Sequence, residues 1–145
     1  MESDKTAPGM GGPHPTITEL RDPQHPNHFE HLTSCSMCRS VVAADLEDHS
    51  EKHIVTPGRI VPARELLGDM LLELRQPGAA MAEYEASQQR EPNRFRGLYG
   101  AARAAEAAGE KDKAARYYGE LVALTRNADV VRPELAQAKA FLAQR

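Results

Sequence analysis

The sequence predicts an all-α protein built from antiparallel helical hairpins. After Pro62 the chain is rich in alanine, leucine, glutamate and arginine, which is the composition of packed helices. The same half shows self-similarity at a period of 34 residues and none of the apolar-polar alternation that strands require. With 145 residues, the chain has the length of one domain. We therefore expect one helical unit preceded by a tail.

The first part of the chain divides into a leader, a helix and a linker. Residues 1–27 hold five of the ten prolines and little apolar surface, so we expect a flexible leader. Proline and glycine are absent from Phe29 to His53, which permits one helix over 28–53. The stretch "IVTPGRIVP" then predicts a linker at 54–61.

Two segments that align at a shift of 34 predict two hairpins, at 62–93 and 94–126. The first is "ELLGDMLLELRQPGAAMAEYEASQQREPN" and the second is "YGAARAAEAAGEKDKAARYYGELVALTRN". Small residues that keep their places in both segments let antiparallel helices approach closely, and large ones fill the space around them. Turn-forming stretches place the helices near 62–75, 78–90, 94–108 and 111–125.

A last helix, at 132–144, repeats only the first half of the unit. A further shift of 34 sets Leu135 and Ala136 under Ala101 and Ala102. Because Leu135, Ala138 and Leu142 share one face of this helix, we expect it to cap the exposed end of the stack.

The second half resembles the tetratricopeptide repeat. The shared features are the 34-residue period, Leu-Gly at 67–68, alanine at 80 and 114, tyrosine at 84 and 118, and a closing proline at 92. Residues 61–145 look like the C-terminal end of bacterial tetratricopeptide proteins of longer array, in which a segment similar to "AADLEDHSEKH" precedes the first hairpin. This resemblance implies that residues 40–53 are the second helix of an earlier, incomplete repeat.

The resemblance implies a non-catalytic scaffold that binds a peptide or a partner protein in a concave groove. It places the groove on the first helix of each hairpin, at Glu65, Asp69, Leu72, Glu73, Arg96, Tyr99, Arg103 and Glu106. An acidic strip would then face a basic and aromatic one, which suits a peptide of mixed charge. The alternative is that these charged positions are a solvated helix face. Relatives that clamp a peptide's carboxylates use lysine and asparagine where this chain has Glu65 and Asp69, so we do not expect a carboxylate clamp.

Four residues raise a zinc-finger alternative: Cys35, Cys38, His49 and His53 have the order and spacing C-x2-C-x10-H-x3-H. In that hypothesis the protein is a zinc-finger adaptor and the hairpins only support the metal site. On a single helix, however, these residues fall in one stripe of roughly 80 degrees together with Val42 and Leu46. We favour the helix, with the thiols packed as small apolar groups and no cofactor bound. The deciding observable is whether the chain runs on as helix past Cys38.

Several functional classes find no support in the sequence. With 18 basic and 21 acidic residues and no basic block, we expect no nucleic-acid partner. No apolar stretch approaches the ~20 residues of a membrane span and no signal peptide is visible, so we expect a cytoplasmic protein without a membrane contact. No nucleophile or acid-base pair suggests an enzyme. The apolar edge before Leu66 could join two copies, so a homo-oligomer through the N-terminal edge is a further hypothesis.

Overall fold

The structure is a computed structural model that describes Gln24 and residues 35–50, 60–129 and 132–144. Within these ranges the chain forms α-helices and no strand, which confirms the all-α prediction. The predicted leader at 1–27, apart from Gln24, lies outside the described residues, as do both ends of the predicted 28–53 helix and most of the 54–61 linker. The helices are α1 (Ser36–His49), α2 (Ala63–Glu73), α3 (Pro77–Arg90), α4 (Phe95–Ala107), α5 (Lys111–Leu124) and α6 (Pro133–Ala143).

The helices α2 and α3 form one hairpin, and α4 and α5 form a second hairpin that packs against the first. The same turn closes both hairpins, 34 residues apart. Gln76 donates its backbone N–H to Leu71 at 2.8 Å, and Glu110 donates to Ala105 at 2.9 Å. Hydrogen bonds from the N–H of one residue to the carbonyl five residues earlier are typical of a helix that ends on a residue in the left-handed backbone conformation. Here that residue is Arg75, with φ 58°, or Gly109, with φ 79°. All four helices begin and end within two residues of their predicted bounds.

Tyr84 joins the two hairpins. Its ring is fully buried and packs against Gly68 of α2 and Gly100 of α4. A Cβ atom added at Gly68 would lie only 2.7 Å from Tyr84 Cζ. The ring therefore fits between α2 and α4 only because Gly68 and Gly100 lack side chains. Gly68, a small residue of the 34-residue pattern, therefore serves the close approach that the sequence predicts, and Gly100 adds a second small contact outside that pattern.

Arg64 holds α1 to the first hairpin. Its guanidinium donates to Asp45 at 2.9 Å, to Asp48 at 2.5 Å and to Glu83 at 2.5 Å. Burial would lower the pKa of Arg64, but the hydrogen bonds and charges of Asp48 and Glu83 raise it, so the cation is favoured. Glu47 adds a further link between α1 and α2, because its carboxylate accepts the N–H of Ala63 at the start of α2 at 2.9 Å.

The face that α1 buries includes Cys38, as predicted, but its centre differs from the predicted one. The buried residues are Met37, Cys38, Val41 and Ala44. Leu46 was predicted to lie in the buried stripe but is 67 % exposed. The buried face is rotated by roughly 100 degrees from the prediction, which is the angle between successive residues. The physical reason is electrostatic, since docking onto Arg64 requires the Asp45 and Asp48 side of α1 to face the hairpin.

The last helix, α6, packs on α5 at the C-terminal end of the stack. Ala138 is fully buried, while Leu135 and Leu142 are partly buried against the core. Phe141 stacks on Tyr118 with ring centroids 5.0 Å apart. The observed face is thus the one that the sequence predicts, with Phe141 as an additional contact.

Candidate functional site

The first helices of the successive units share one open groove. It has a volume of about 560 Å³ and lies between α2, α4 and α6. Its lining residues are Asp69, Leu72, Glu73, Arg103, Glu106, Ala107 and Gln137. Five of these residues belong to the predicted groove set. Three of that set, Glu65, Arg96 and Tyr99, lie outside the lining.

Asp69 lies between a buried tyrosine and an exposed arginine. One carboxylate oxygen accepts from the Tyr84 hydroxyl at 2.6 Å, and the other pairs with the Arg96 guanidinium. Burial raises the pKa of Tyr84, and the hydrogen bond to Asp69 raises it further, so the hydroxyl stays a donor. This wall of the groove is therefore fixed by the core beneath it, and the charge of Arg96 is largely compensated by Asp69.

Glu65 differs from its predicted place at the groove surface. Its side chain is fully buried, and Oε1 accepts from Arg94 at 3.0 Å. The other oxygen has no hydrogen-bond partner among the described residues, although Arg96 Nε lies 3.8 Å away. Burial raises the pKa of Glu65, an effect that Arg94 and then Arg96 oppose. The carboxylate thus joins α2 to α4 from within and is not available to a ligand.

The other wall of the groove is a chain of hydrogen bonds between α4, α5 and α6. Tyr99 donates its hydroxyl to Gln137 Oε1 at 2.6 Å, and Gln137 Nε2 donates to the Tyr118 oxygen at 3.4 Å. Tyr118 in turn donates to Glu106 at 2.8 Å. Burial raises the pKa of Tyr118, and Glu106 raises it further, which keeps that donor protonated. The capping helix is therefore part of the groove as well as of the core.

Gln137 was not among the predicted groove residues, but the repeat contained the signal for it. Asp69, Arg103 and Gln137 occupy the same position of the 34-residue pattern on α2, α4 and α6. Glu73 and Ala107 are related by the same shift. Applying the shift of 34 to Glu73 predicts Ala107 in α4, and applying it to Arg103 predicts Gln137 in α6, so the repeat contains both of these lining residues.

Arg103 is the cation of the groove that remains open to a ligand. Its guanidinium lies over the Tyr99 ring, 5.7 Å from the centroid. Neither Arg103 nor Glu73 forms an ion pair within the part of the chain that the structure describes. A cation on an aromatic face keeps its edge donors available, so the groove offers one positive and one negative site, on α4 and α2 respectively.

Helix α1 separates the predicted cysteine ligands from the predicted ligand His49. Cys35 precedes α1 and Cys38 lies in its first turn, whereas His49 is its last residue. Cys38 and His49 are 11 positions apart, which is about 16 Å along a helix, and zinc ligands must lie about 2 Å from the metal. Across the described ranges, no group of three or more side chains is placed to hold a metal ion. His53 lies outside those ranges, and the zinc-finger alternative stays a prediction.

The two thiols at the start of α1 differ in their acidity. Burial raises the pKa of Cys38 to about 12, and its hydrogen bond with Cys35 acts in the same direction. For Cys35 the effect of burial is outweighed by hydrogen bonds from the backbone N–H groups of Cys38 and Met37, and its pKa is lowered. Cys35 is therefore the thiol of this pair that ionises first.

Comparison with protein-family models, with curated proteins and with solved structures gives no match for this chain. The described helices include none with the length and apolar character needed to cross a bilayer. The class of protein is thus given by the architecture, which is all-α and repeat-like. The predicted homo-oligomer contact at the N-terminal edge stays a prediction, since most of the residues before Cys35 lie outside the described ranges.

Proposed function

We propose that the protein is a non-catalytic scaffold of the tetratricopeptide type, which binds an extended segment of a partner protein in the groove between α2, α4 and α6. The observation that carries this proposal is positional. Asp69, Arg103 and Gln137 stand at one position of the repeat, and all three line a single groove. A repeat stack that presents the same position from successive helices offers a peptide evenly spaced contacts along its length.

The groove chemistry favours a peptide that carries both signs of charge. Arg103 can bind a carboxylate in bidentate fashion, and Glu73 can bind a lysine or an arginine. Asp69 and Arg96 already compensate each other, so they contribute shape more than net charge. Leu72 and Ala107 add the apolar surface between these sites. This distribution refines the mixed-charge groove that the sequence predicts.

The groove is also pre-organised. Its walls are fixed from below by the Tyr84 to Asp69 bond and from the side by the contacts of Gln137 with Tyr99 and Tyr118. A partner that binds such a surface does not have to order it, which lowers the entropic cost of association. Pre-organisation of this kind suits a binding protein and needs no reacting group.

The test uses one charge reversal in the groove and one matched reversal outside it. Arg103→Glu changes an arginine that stacks on Tyr99, and Arg116→Glu changes an exposed arginine that stacks on Tyr117 at 4.5 Å. Peptides are first selected from a displayed random library against the full chain, and their affinities are then measured by fluorescence anisotropy. We expect Arg103→Glu to weaken binding by about tenfold or more, and Arg116→Glu to change it by less than about twofold.

The melting temperatures of both variants should stay close to that of the wild type, because both side chains are exposed. Binding that survives Arg103→Glu, or that is lost equally in both variants, would show that the peptide does not lie in this groove. Failure to select any peptide that competes for the groove would count against the scaffold function itself.

A further inference from the structure

A second cleft lies at the C-terminal end of the stack, between α5 and α6. It has a volume of about 710 Å³ and shares no residue with the first groove. Its floor includes Val122, Leu135 and Leu142, and its rim carries the cations Arg126, Arg132 and Lys139. An apolar cleft with a rim of one charge sign is unlike the mixed-charge groove, so the two surfaces suit different ligands.

The repeat indicates what kind of element fits this cleft. Ala136 occupies the position of Gly68 in α2 and Ala102 in α4. Both of those residues are buried, and Gly68 is covered by the Tyr84 ring of the second helix of its own hairpin. Ala136 is exposed, and within the described residues no helix packs on it. The surface of α6 is thus shaped for a helix that the described chain does not supply.

Lys139 shows how a helix docked on α6 would differ from α3 and α5. It stands at the position of Leu71 and Ala105, which are both fully buried. In α6 this position is exposed and positively charged. A helix that covers Lys139 must therefore bring an anion to it, because an unpaired buried charge is strongly unfavourable.

The other two rim cations, Arg126 and Arg132, also favour an acidic partner. Arg126 lies two residues after the end of α5, and Arg132 precedes α6 with its guanidinium 4.8 Å from the Phe95 ring centroid. Over the described ranges, none of the three rim cations forms an ion pair. This local excess of positive charge occurs on a chain whose formal net charge is −3. Charge complementarity thus favours an acidic partner.

We propose that the cleft between α5 and α6 docks one amphipathic α-helix of a partner protein, with a large apolar side chain on Ala136 and carboxylates facing Lys139, Arg126 and Arg132. The docked helix takes the place of the second helix of a third repeat. This interaction is independent of peptide binding in the groove between α2, α4 and α6.

The chain itself supplies a suitable probe. A labelled synthetic peptide of residues 77–90 has the sequence of α3, the helix that covers Gly68, and it carries Tyr84 with Glu83 and Glu85 beside it. We expect saturable binding of this peptide to the full-length protein by fluorescence anisotropy. The same peptide with Tyr84→Ala should bind about tenfold more weakly or worse, since it lacks the ring that packs on the small position.

Two alanines of α6 provide a matched pair of variants. Ala136→Phe fills the cleft, whereas Ala140→Phe adds the same ring at an exposed alanine that does not line it. Because both positions are exposed, neither change should lower the melting temperature appreciably. We expect Ala136→Phe and Lys139→Glu each to weaken probe binding by about tenfold or more, and Ala140→Phe to leave it within about twofold.

Three outcomes would overturn the proposal. One is the absence of saturable probe binding to the wild-type protein. Another is an equal response to Ala136→Phe and Ala140→Phe, or loss of probe binding on Arg103→Glu, which would place the probe outside the cleft. The third is a concentration-dependent dimer in light scattering that Ala136→Phe abolishes, because the occupant would then be a second copy of this chain.

Discussion

Arg64→Met should destabilise the protein more than any other loss of a single charge in the first hairpin. Methionine keeps much of the length and apolar bulk of arginine but removes the cation. The change leaves the carboxylates of Asp48 and Glu83 behind, with side chains only 8 % and 4 % exposed. Both buried carboxylates would then lose the Arg64 guanidinium, Asp48 would keep only its pair with the half-exposed Arg90, and Asp45 would lose the same partner.

The expected size of the effect follows from that burial. Removing one partner of a buried ion pair costs about 3–5 kcal/mol, because the remaining charge is desolvated without compensation. At the lower limit of about 3 kcal/mol, a domain of this length should lose roughly 6–12 °C in melting temperature. The loss should be concentrated in α1, which Arg64 joins to α2 and α3.

The assay compares Arg64→Met with Arg90→Met by circular dichroism melting and by hydrogen exchange. Arg90 also pairs with Asp48, at 3.2 Å, but its side chain is 50 % exposed, so its loss should cost less than about 1 kcal/mol. Arg64→Met should also accelerate exchange of the α1 amides. If both variants melt alike, or if α1 keeps its protection in Arg64→Met, the argument that Arg64 anchors α1 is wrong.

The remaining predictions concern packing and pH. Gly68→Ala should lower the free energy of unfolding by about 1–3 kcal/mol in chemical denaturation, because its Cβ would lie 2.7 Å from Tyr84 Cζ. In Gly78→Ala the added Cβ meets open space, so this variant should be more stable by up to about 1 kcal/mol. Equal effects of the two changes would refute the close packing of Tyr84 on Gly68. The buried Glu65 has a pKa raised above its ordinary value of 4.5, so its contribution to stability is present below pH 4.5 and is lost as pH rises through the higher folded pKa. In thermal melts the stability of Glu65→Gln relative to the wild type should therefore be lowest near pH 4.5 and should rise toward pH 7. A stability difference that does not change with pH would contradict the raised pKa.

The repeat explains how much of the fold the sequence could predict. Small and large residues that recur every 34 positions act locally, through the close approach of neighbouring helices, so their pattern predicts the two hairpins. The turn-forming stretches then locate the four hairpin helices to within two residues. The resemblance to the tetratricopeptide repeat predicts the groove position shared by Asp69 and Arg103. The 34-residue pattern also contains Gln137, which stands at the same position on the final helix.

The errors come from contacts that no local pattern contains. The buried face of α1 is set by Arg64, which lies 16 and 19 positions from the two aspartates it binds. Helical periodicity within α1 therefore pointed to Leu46 as a buried residue when the ion pairs required another orientation. The exposed position predicted for Glu65 is wrong for a similar reason, since its carboxylate is buried against Arg94, a residue that lies 29 positions away at the start of the second hairpin.

The position of Tyr84 has a consequence for recognition. Its ring separates α2 from α4, the helices that carry Asp69 and Arg103, and its hydroxyl also holds Asp69. The thickness of one aromatic ring thus sets the distance between α2 and α4, and with it the distance between the charges of Asp69 and Arg103. A partner cannot contact Tyr84, because the residue is fully buried. If the groove binds a peptide as proposed, its selectivity can therefore change through substitutions in the interior, while every residue that lines the groove stays the same.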